Sequence, residues 1–304
     1  MIADMENMHS HKSACDVSII IVNYNSTQLL INCVRTIVQH TKNVEYEIIV
    51  VDNASPDNGK DLLKKEIGTY IHLIESEKNL GFGGANNIGI KVARGKYLFF
   101  LNPDTILLNN AVKIFFDYAE EKDYSTLGAL GGVLMDVNKK PTDSYDYFLS
   151  PRKIYNDAMP KGLCRTIEKK FISAPIDVDF ITGAAMFSPS ENIRKVGGFD
   201  EGFFMYCEEV DLQRRMADIG LKRIAIPGPE IIHLEGSSYA KNKGRSARRR
   251  LEHDRSKCYY IKKHYSRVKY IIFRITFFFV RQPAVFNPRY TVKENLSYLK
   301  MLVS

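Results

Sequence analysis

V-S-I-I-I-V-N-Y-N, Val17 to Asn25, and E-I-I-V-V-D-N-A-S-P-D, Glu47 to Asp57, decide the fold. Each is a run of β-branched residues that stops abruptly at polar groups. A strand with no polar face is buried on both sides, as in a parallel sheet covered by helices. Between the runs, Leu29, Leu30, Cys33, Val34, Ile37 and Val38 fall on one helical stripe, and Ser26 stands where a cap belongs. Strand, helix, strand over this length is a βαβ unit. Open α/β sheets bind ligands outside the C-terminal ends of their strands. Asn23, Tyr24, Asn25, Asp52, Asn53 and Ser55 are therefore expected to line one crevice.

The chain has 304 residues, enough for one large domain with an appendage, and 45% of them are hydrophobic, enough for a proper core. Its five cysteines are irregularly spaced and form no C-x-x-C. That argues for a reducing compartment and against a zinc or disulfide framework. The first 16 residues are polar and show no signal-peptide core. No uninterrupted run of about 18 apolar residues is present, so no spanning helix is expected. The formal net charge is +8, concentrated between Lys241 and Lys263. Such a cluster can meet nucleic acid, anionic lipid or a phosphorylated substrate.

Further along, residues 1–15 read as a disordered lead-in. Ser55-Pro56-Asp57 reads as a helix start, with Ser55 as the cap and Pro56 at the first helical position. Ile71 to Ile74 is a third strand. N-L-G-F-G-G-A-N-N-I-G-I, Asn79 to Ile90, reads as a glycine loop with a helix leaving it near Ala85. It fits neither the P-loop nor the dinucleotide fingerprint. Lys96 to Leu101 is a buried strand that ends in Asn102-Pro103-Asp104-Thr105. A helix at 109–121 and a strand at 127–134 follow. From 136 to 176 the pattern weakens into loops and short helices that shape a second binding site. Val178 to Phe187 is ordered again. Glu208 to Ile219 is a helix closed by Gly220. Short strands at 222–226 and 230–234 lead to a basic helix at 245–268 and an apolar aromatic stretch at 270–280.

Asp104 stands at a strand end facing the crevice, where an oxygen ligand suits a hard cation that keeps substrate phosphates in its shell; N-P-D-T is also good turn chemistry. His233 closes a later strand and can complete such a site, or serve as a structural histidine. Glu208, Glu209 and Asp211 crowd the first turn of one helix. Acids there offset the macrodipole. They also follow the aromatic loop F-F-M-Y-C, and carboxylates clustered in a partly apolar site shift one another's pKa, which suits a general base. Cys207 has no identifiable histidine partner for a nucleophilic role.

V-S-I-I-I-V-N-Y-N-S, E-I-I-V-V-D-N-A-S-P-D, N-L-G-F-G-G-A-N-N-I-G, Y-L-F-F-L-N-P-D-T, I-T-G-A-A-M-F, G-G-F-D-E-G-F-F-M-Y-C-E-E-V-D-L and I-I-H-L-E-G-S-S occur in order over roughly residues 16–240. Together they resemble the glycosyltransferase family 2 enzymes, in particular the rhamnosyltransferase-like branch that builds bacterial surface polysaccharides. The resemblance implies a GT-A fold: a Rossmann-like α/β domain with a mixed, mostly parallel sheet flanked by helices. It implies an inverting hexosyltransferase with a nucleotide-diphosphate sugar donor (UDP or dTDP) and a divalent metal, Mn²⁺ or Mg²⁺. By position, Asn23, Tyr24 and Asp52 would hold the base, with Asn25, Asn53 and Ser55 close by. Asn79, Gly83, Asn86 and Asn87 would sit near ribose and sugar. Asn102 and Asp104 match the D-x-D element, with Asn replacing the first Asp, and Asp104 and His233 would hold the metal. Glu209 would be the base, with Glu208 and Asp211 as the other candidates. Gly198, Phe199 and Asp200 match an acceptor-side loop, and Arg215 a basic residue on the following helix.

The expected organisation is a catalytic domain at 16–240 and a C-terminal helical extension at 241–304. Its basic helix and Phe277, Phe278 and Phe279 suit either a membrane-surface element or a helix packed on the catalytic domain. A saccharide or polyprenyl-linked acceptor, an anionic membrane surface, a cytoplasmic site of action on the inner face of the cell membrane, and no nucleic-acid partner complete this reading. A nucleotidyltransferase shares the strand-end carboxylates but needs a glycine- and lysine-rich N-terminal loop, which 23–28 lacks. A binder of nucleic acid or another anionic surface through 241–263 is the third class.

Overall fold

The computed structural model describes residues 15–57, 59–121, 124–158, 170–234 and 243–303. Residues 1–14 of the lead-in, part of the weakly patterned stretch, the E-G-S-S end of the last motif and Lys241 at the start of the C-terminal cluster lie outside them. In chain order come β1 Val17–Asn23, α1 Thr27–His40, β2 Tyr46–Asp52, α2 Lys60–Ile67, β3 Ile71–Glu75, α3 Gly81–Val92, β4 Tyr97–Leu101, β5 Thr105–Leu107, α4 Ala111–Glu120 and β6 Leu127–Gly131. There follow β7 Tyr145–Asp146, α5 Pro151–Ala158, β8 Ile176–Asp177, β9 Phe180–Ile181, β10 Ala185–Pro189, α6 Ser190–Lys195, α7 Glu208–Asp218, β11 Lys222–Ala225 and β12 Ile231–His233. Three helices end the chain: α8 Lys243–His264, α9 Arg267–Val285 and α10 Val292–Val303.

One eight-stranded sheet runs β3-β2-β1-β4-β10-β6-β11-β8. Its β3-β2-β1-β4 half is parallel, and β10 enters antiparallel between β4 and β6. The unbroken apolar run of β1 has a simple cause. Val17, Ile19 and Ile21 point into a cluster with Leu30, Val34 and Ile37 of α1 and Phe115 of α4. Ile20 and Val22 point the other way, toward Ala85 and Ile90 of α3 and Leu212 and Met216 of α7. Both faces are covered, and each such fully buried side chain contributes about 1.5–3 kcal/mol.

Two expectations need correction. α2 begins at Lys60, not at Ser55, because the Ser55 hydroxyl is engaged at the end of β1 instead of capping a helix. The glycine stretch is not a loop: α3 starts at Gly81 and runs through it. Glycine serves close packing here, since a Cβ on Gly89 would stand 2.5 Å from the Ile20 Cγ2. Val178 to Phe187, expected to be ordered, holds β9 and the first residues of β10, separated by a turn. The Phe277, Phe278, Phe279 triplet is split, with Phe277 buried and Phe279 exposed.

The C-terminal helices pack on the sheet domain. Tyr260, Ile261, Phe273 and Phe277 share a cluster with Phe203, Cys207 and Val210 at the start of α7.

Candidate active site

The strand ends of β1 and β2 are joined before any ligand arrives. The Asn23 amide donates to Asp52 Oδ1 at 2.9 Å and to Ser55 Oγ at 3.1 Å, and Ser26 Oγ donates to Asn23 Oδ1 at 2.9 Å. Ser26 thus spends its hydroxyl on Asn23, not on capping α1. The Asn25 N–H donates to Ser55 Oγ at 3.0 Å. Asn25 and Ala54 both adopt left-handed backbone, which turns the two chains away from the sheet at the same level. Asn23, Asp52 and Asn53 are buried, while the Tyr24 side chain stands 39% exposed at the rim. The crevice therefore has a rigid amide–carboxylate floor and one aromatic ring available for stacking.

Asn53 and Asn79 build the adjoining wall. The Asn53 amide donates to Asn79 Oδ1 and to the Gly81 carbonyl, both at 3.1 Å, and its oxygen accepts the Leu80 N–H at 2.8 Å. Gly81 has φ +76°, and a Cβ there would lie 1.9 Å from the Phe204 carbonyl oxygen. The Phe82 N–H donates to that same oxygen at 3.1 Å. The donor-side helix is so stitched to the aromatic loop 203–206. Gly83 continues the close approach, with Phe199 and Glu208 against it. Asn86 donates back to the Phe82 carbonyl inside α3. Asn87 donates to the Phe199 carbonyl at 2.9 Å and accepts the Phe199 N–H at 2.9 Å, so it holds the 198–201 loop.

At the end of β4, strand pairing assembles a donor pair. β5 pairs antiparallel with β12, placing His233 opposite Thr105, and the Leu234 N–H donates to the Asp104 carbonyl at 2.8 Å. His233 Nε2 then lies 3.3 Å from Asp104 Oδ1, and the Asn102 amide 3.4 Å from the same imidazole nitrogen. The two side chains are 15% and 11% exposed.

Across the segment 183–184 stand the acids of α7. The Asn102 N–H donates to the Ala184 carbonyl at 2.9 Å, and the neighbouring Gly183 packs against the Glu209 side chain. Burial pushes the Glu209 carboxyl above its usual range, against hydrogen bonds from backbone groups that include Gly183. Glu208 is pushed up further, by burial and by the Glu209 charge, and its Oε2 is buried with no hydrogen-bond partner among the described residues. The preceding Tyr206 and Cys207 both have φ near +70°, at 71° and 68°, and this turn aims the first residues of α7 inward.

Asp211, the third candidate base, is placed differently. It is fully buried and ion-paired with Arg215 at 2.9 Å, Lys263 at 2.8 Å and His264 at 2.7 Å. Despite the upward pull of burial, hydrogen bonds from His264 and Lys263 and the charges of Arg215 and Lys263 hold its carboxyl below the usual range. A carboxylate so occupied makes a poor proton acceptor. Arg215 also donates to the carbonyls of Val196 and Gly198, the latter at 2.7 Å. Phe199 is buried, with its ring edge-on to Phe82 and Phe100. Of the acceptor-loop trio only Asp200 keeps a partly exposed charge, and Lys263 pairs with it at 2.5 Å.

Tyr259, Lys263 and His264 of α8 are the residues that sequence reasoning missed. The signal was present in K-K-H at 262–264, but a run of cations in a basic helix reads as a solvated face.

The glycosyl transferase family 2 profile matches residues 18–187. The chain is 29% identical over 214 residues to the rhamnosyltransferase WbbL of Escherichia coli K12, covering 66% of this chain and 75% of WbbL. It is 33% identical over 126 residues to the UDP-Glc:alpha-D-GlcNAc-diphosphoundecaprenol beta-1,3-glucosyltransferase WfaP of E. coli, covering 37% of this chain and 49% of WfaP. Among solved structures it is similar to the mannosyltransferase PcManGT of Pyrobaculum calidifontis, in complex with GDP-Man and Mn²⁺, with TM-score 0.56 and 16% identity over 94% of this chain and 72% of that one. The chain belongs to glycosyl transferase family 2 and is a glycosyltransferase built on the GT-A fold.

Proposed function

We propose that the protein moves a sugar, rhamnose being the leading candidate, from a nucleoside-diphosphate donor to a saccharide or lipid-linked saccharide acceptor, with inversion, in surface polysaccharide synthesis. The observation that carries this reading is the arrangement around 183–184. An oxygen–nitrogen donor pair stands on one side and a carboxyl of raised pKa on the other.

The donor pair fits a divalent cation. A carboxylate oxygen and an imidazole nitrogen 3.3 Å apart, each partly accessible, suit Mn²⁺, and suit Mg²⁺ less well because of the nitrogen. Asp104 and His233 would hold the ion, with the Asn102 amide beside them. When bound, it offsets the negative charge growing on the leaving diphosphate.

The remaining roles belong to the chain. Tyr24 offers its exposed ring to the base over the floor of Asn23 and Asp52, which suits UDP or dTDP. Asn53 and Asn79 keep Leu80 and Gly81 against the sugar-side wall. Glu209 takes the proton of the acceptor hydroxyl as the acceptor oxygen bonds to the anomeric carbon and the bond from that carbon to the diphosphate oxygen breaks. Its raised pKa makes its carboxylate a stronger proton acceptor than an ordinary one. The 203–206 loop, tied to α3 through the Phe204 carbonyl, shields the donor from water. Similarity to WbbL supports the rhamnosyl assignment, and the printed acceptor of WfaP supports a diphosphopolyprenyl carrier. Free cysteines at positions 15, 33, 207 and 258 suit a cytoplasmic site of action.

The test is nucleoside diphosphate release from a panel of nucleotide sugars with Mn²⁺, with and without a chelator. Release from one donor, lost on chelation and in Asp104→Ala, is expected. Binding of no donor and no nucleoside diphosphate by calorimetry would overturn the reading.

A further inference from the structure

We propose that the outward face of α9 is a docking surface for an anionic lipid bilayer. Val268, Ile272, Ile275 and Phe279 recur at helical spacing and are 66%, 57%, 55% and 66% exposed. The opposite face of the same helix already has its partners, because Phe273 and Phe277 are buried in the cluster shared with α7. α9 therefore carries two apolar faces and uses one. Single exposed apolar residues need no explanation, but a stripe three turns long does. It is continued by Phe286, 77% exposed just past the helix end.

The charges choose the occupant. Between Asp254 and Glu294 the sequence has no Asp or Glu, while Lys262, Arg267, Lys269, Arg289 and Lys293 are exposed in this segment. Two of its other arginines are turned inward, Arg274 to the Leu302 carbonyl at 2.7 Å and Arg281 to Asp254 at 2.5 Å. A second copy of this face would set cations against cations with no acid to offset them. An anionic surface offsets them while the apolar stripe sinks into the interface. No helix among the described residues is long and apolar enough to cross a membrane, so α9 lies along the surface.

Docking there would reach the active site mechanically. α8 ends at His264, with two residues between it and the start of α9, and its Lys263 and His264 grip Asp200 and Asp211. A bilayer under α9 would hold the acceptor loop in a fixed relation to the lipid surface. That extends the lipid-linked acceptor reading, but vesicle binding itself is read without donor or acceptor.

The experiment is co-sedimentation of the full chain with vesicles of phosphatidylcholine alone or mixed with phosphatidylglycerol. Binding to the mixed vesicles is expected at roughly tenfold higher affinity, weakening as salt rises. The doubly substituted Ile272→Glu, Phe279→Glu chain should lose about tenfold or more of that affinity, with its circular dichroism and nucleoside diphosphate release unchanged. Arg267→Glu with Lys269→Glu should abolish the preference for phosphatidylglycerol. Absence of vesicle binding, equal binding to both compositions, or a dimer lost in the Ile272→Glu, Phe279→Glu chain would each overturn the proposal.

Discussion

His233 Nε2 lies 3.3 Å from Asp104 Oδ1, although 129 positions separate them in the chain, because β12 pairs with β5 in a register that sets His233 opposite Thr105. If this pair is the cation site, Asp104→Ala should lower nucleoside diphosphate release roughly 100-fold or more, and His233→Ala by less. Both variants should melt near the wild type, since neither side chain fills the core. Calorimetry with Mn²⁺ and nucleoside diphosphate separates lost cation binding from lost nucleotide binding.

Glu209→Gln should reduce kcat by about 10²–10⁴-fold while leaving the donor KM near wild type. The base works ionised and its folded pKa lies above the ordinary 4.5, so activity should rise with pH along a limb displaced upward from that value. A rate profile from acid to neutral pH checks this. An unshifted limb, or a Gln variant of normal kcat, would assign the proton to another group.

Glu208 is expected to behave oppositely. A carboxyl held above its ordinary 4.5 favours folding in its protonated form, and that contribution is lost as pH rises through the folded value. Glu208→Gln should therefore match the wild type at low pH and exceed its stability progressively as pH rises. Denaturant midpoints across a pH series measure the gap.

For Asp211 the sign reverses. Its depressed pKa stabilises the fold above the ordinary 3.8, and the contribution disappears as pH falls from there through the folded value. Asp211→Asn, which strips the buried partner from Arg215, Lys263 and His264, should cost about 3–5 kcal/mol at neutral pH. The deficit should shrink below pH 3.8. Urea unfolding at neutral and strongly acidic pH reads both values.

Gly81→Ala should be among the harshest single-methyl changes in the chain. It forces a left-handed residue to carry a Cβ 1.9 Å from the Phe204 carbonyl oxygen. We expect at least about 2 kcal/mol lost and a raised donor KM, from combined unfolding and kinetic measurements.

The parallel core could be read from composition because β1 and β2 bury both faces, and burial on both faces leaves a visible signature in β-branched runs. Asp104 and His233 were read together as an expected metal site through the family resemblance, while the β5–β12 register that brings them together left no local mark. Nothing local to His233 names Asp104. Ser55 was misread because Ser-Pro-Asp is sound helix-start chemistry, and only the fold shows Asn23 and Asn25 competing for its hydroxyl. The glycines at 81–84 were read as a loop, whereas Gly81 and Gly83 are there for clearance against Phe204 and Phe199. Asn53, Asn79 and Asn87 were expected near ligand and are found bracing the walls, a use of amides that sequence cannot separate from direct recognition.

The grip of Lys263 and His264 on Asp211, and of Tyr259 and Lys263 on Asp200, bears on how such a chain can be recombined. The terminal helices are not a detachable tail. A chain truncated after Leu234 would keep Arg215 against Asp211 but lose its contacts with Lys263 and His264, and would open the apolar surface around Phe203, Cys207 and Val210. A chimaera that borrows the last three helices from another transferase must import matching residues at 200, 203, 207 and 211 as well. The 198–207 loop and the terminal helices are therefore one inheritable module, interleaved in sequence with the β1–β4 half of the sheet and exchangeable only as a set.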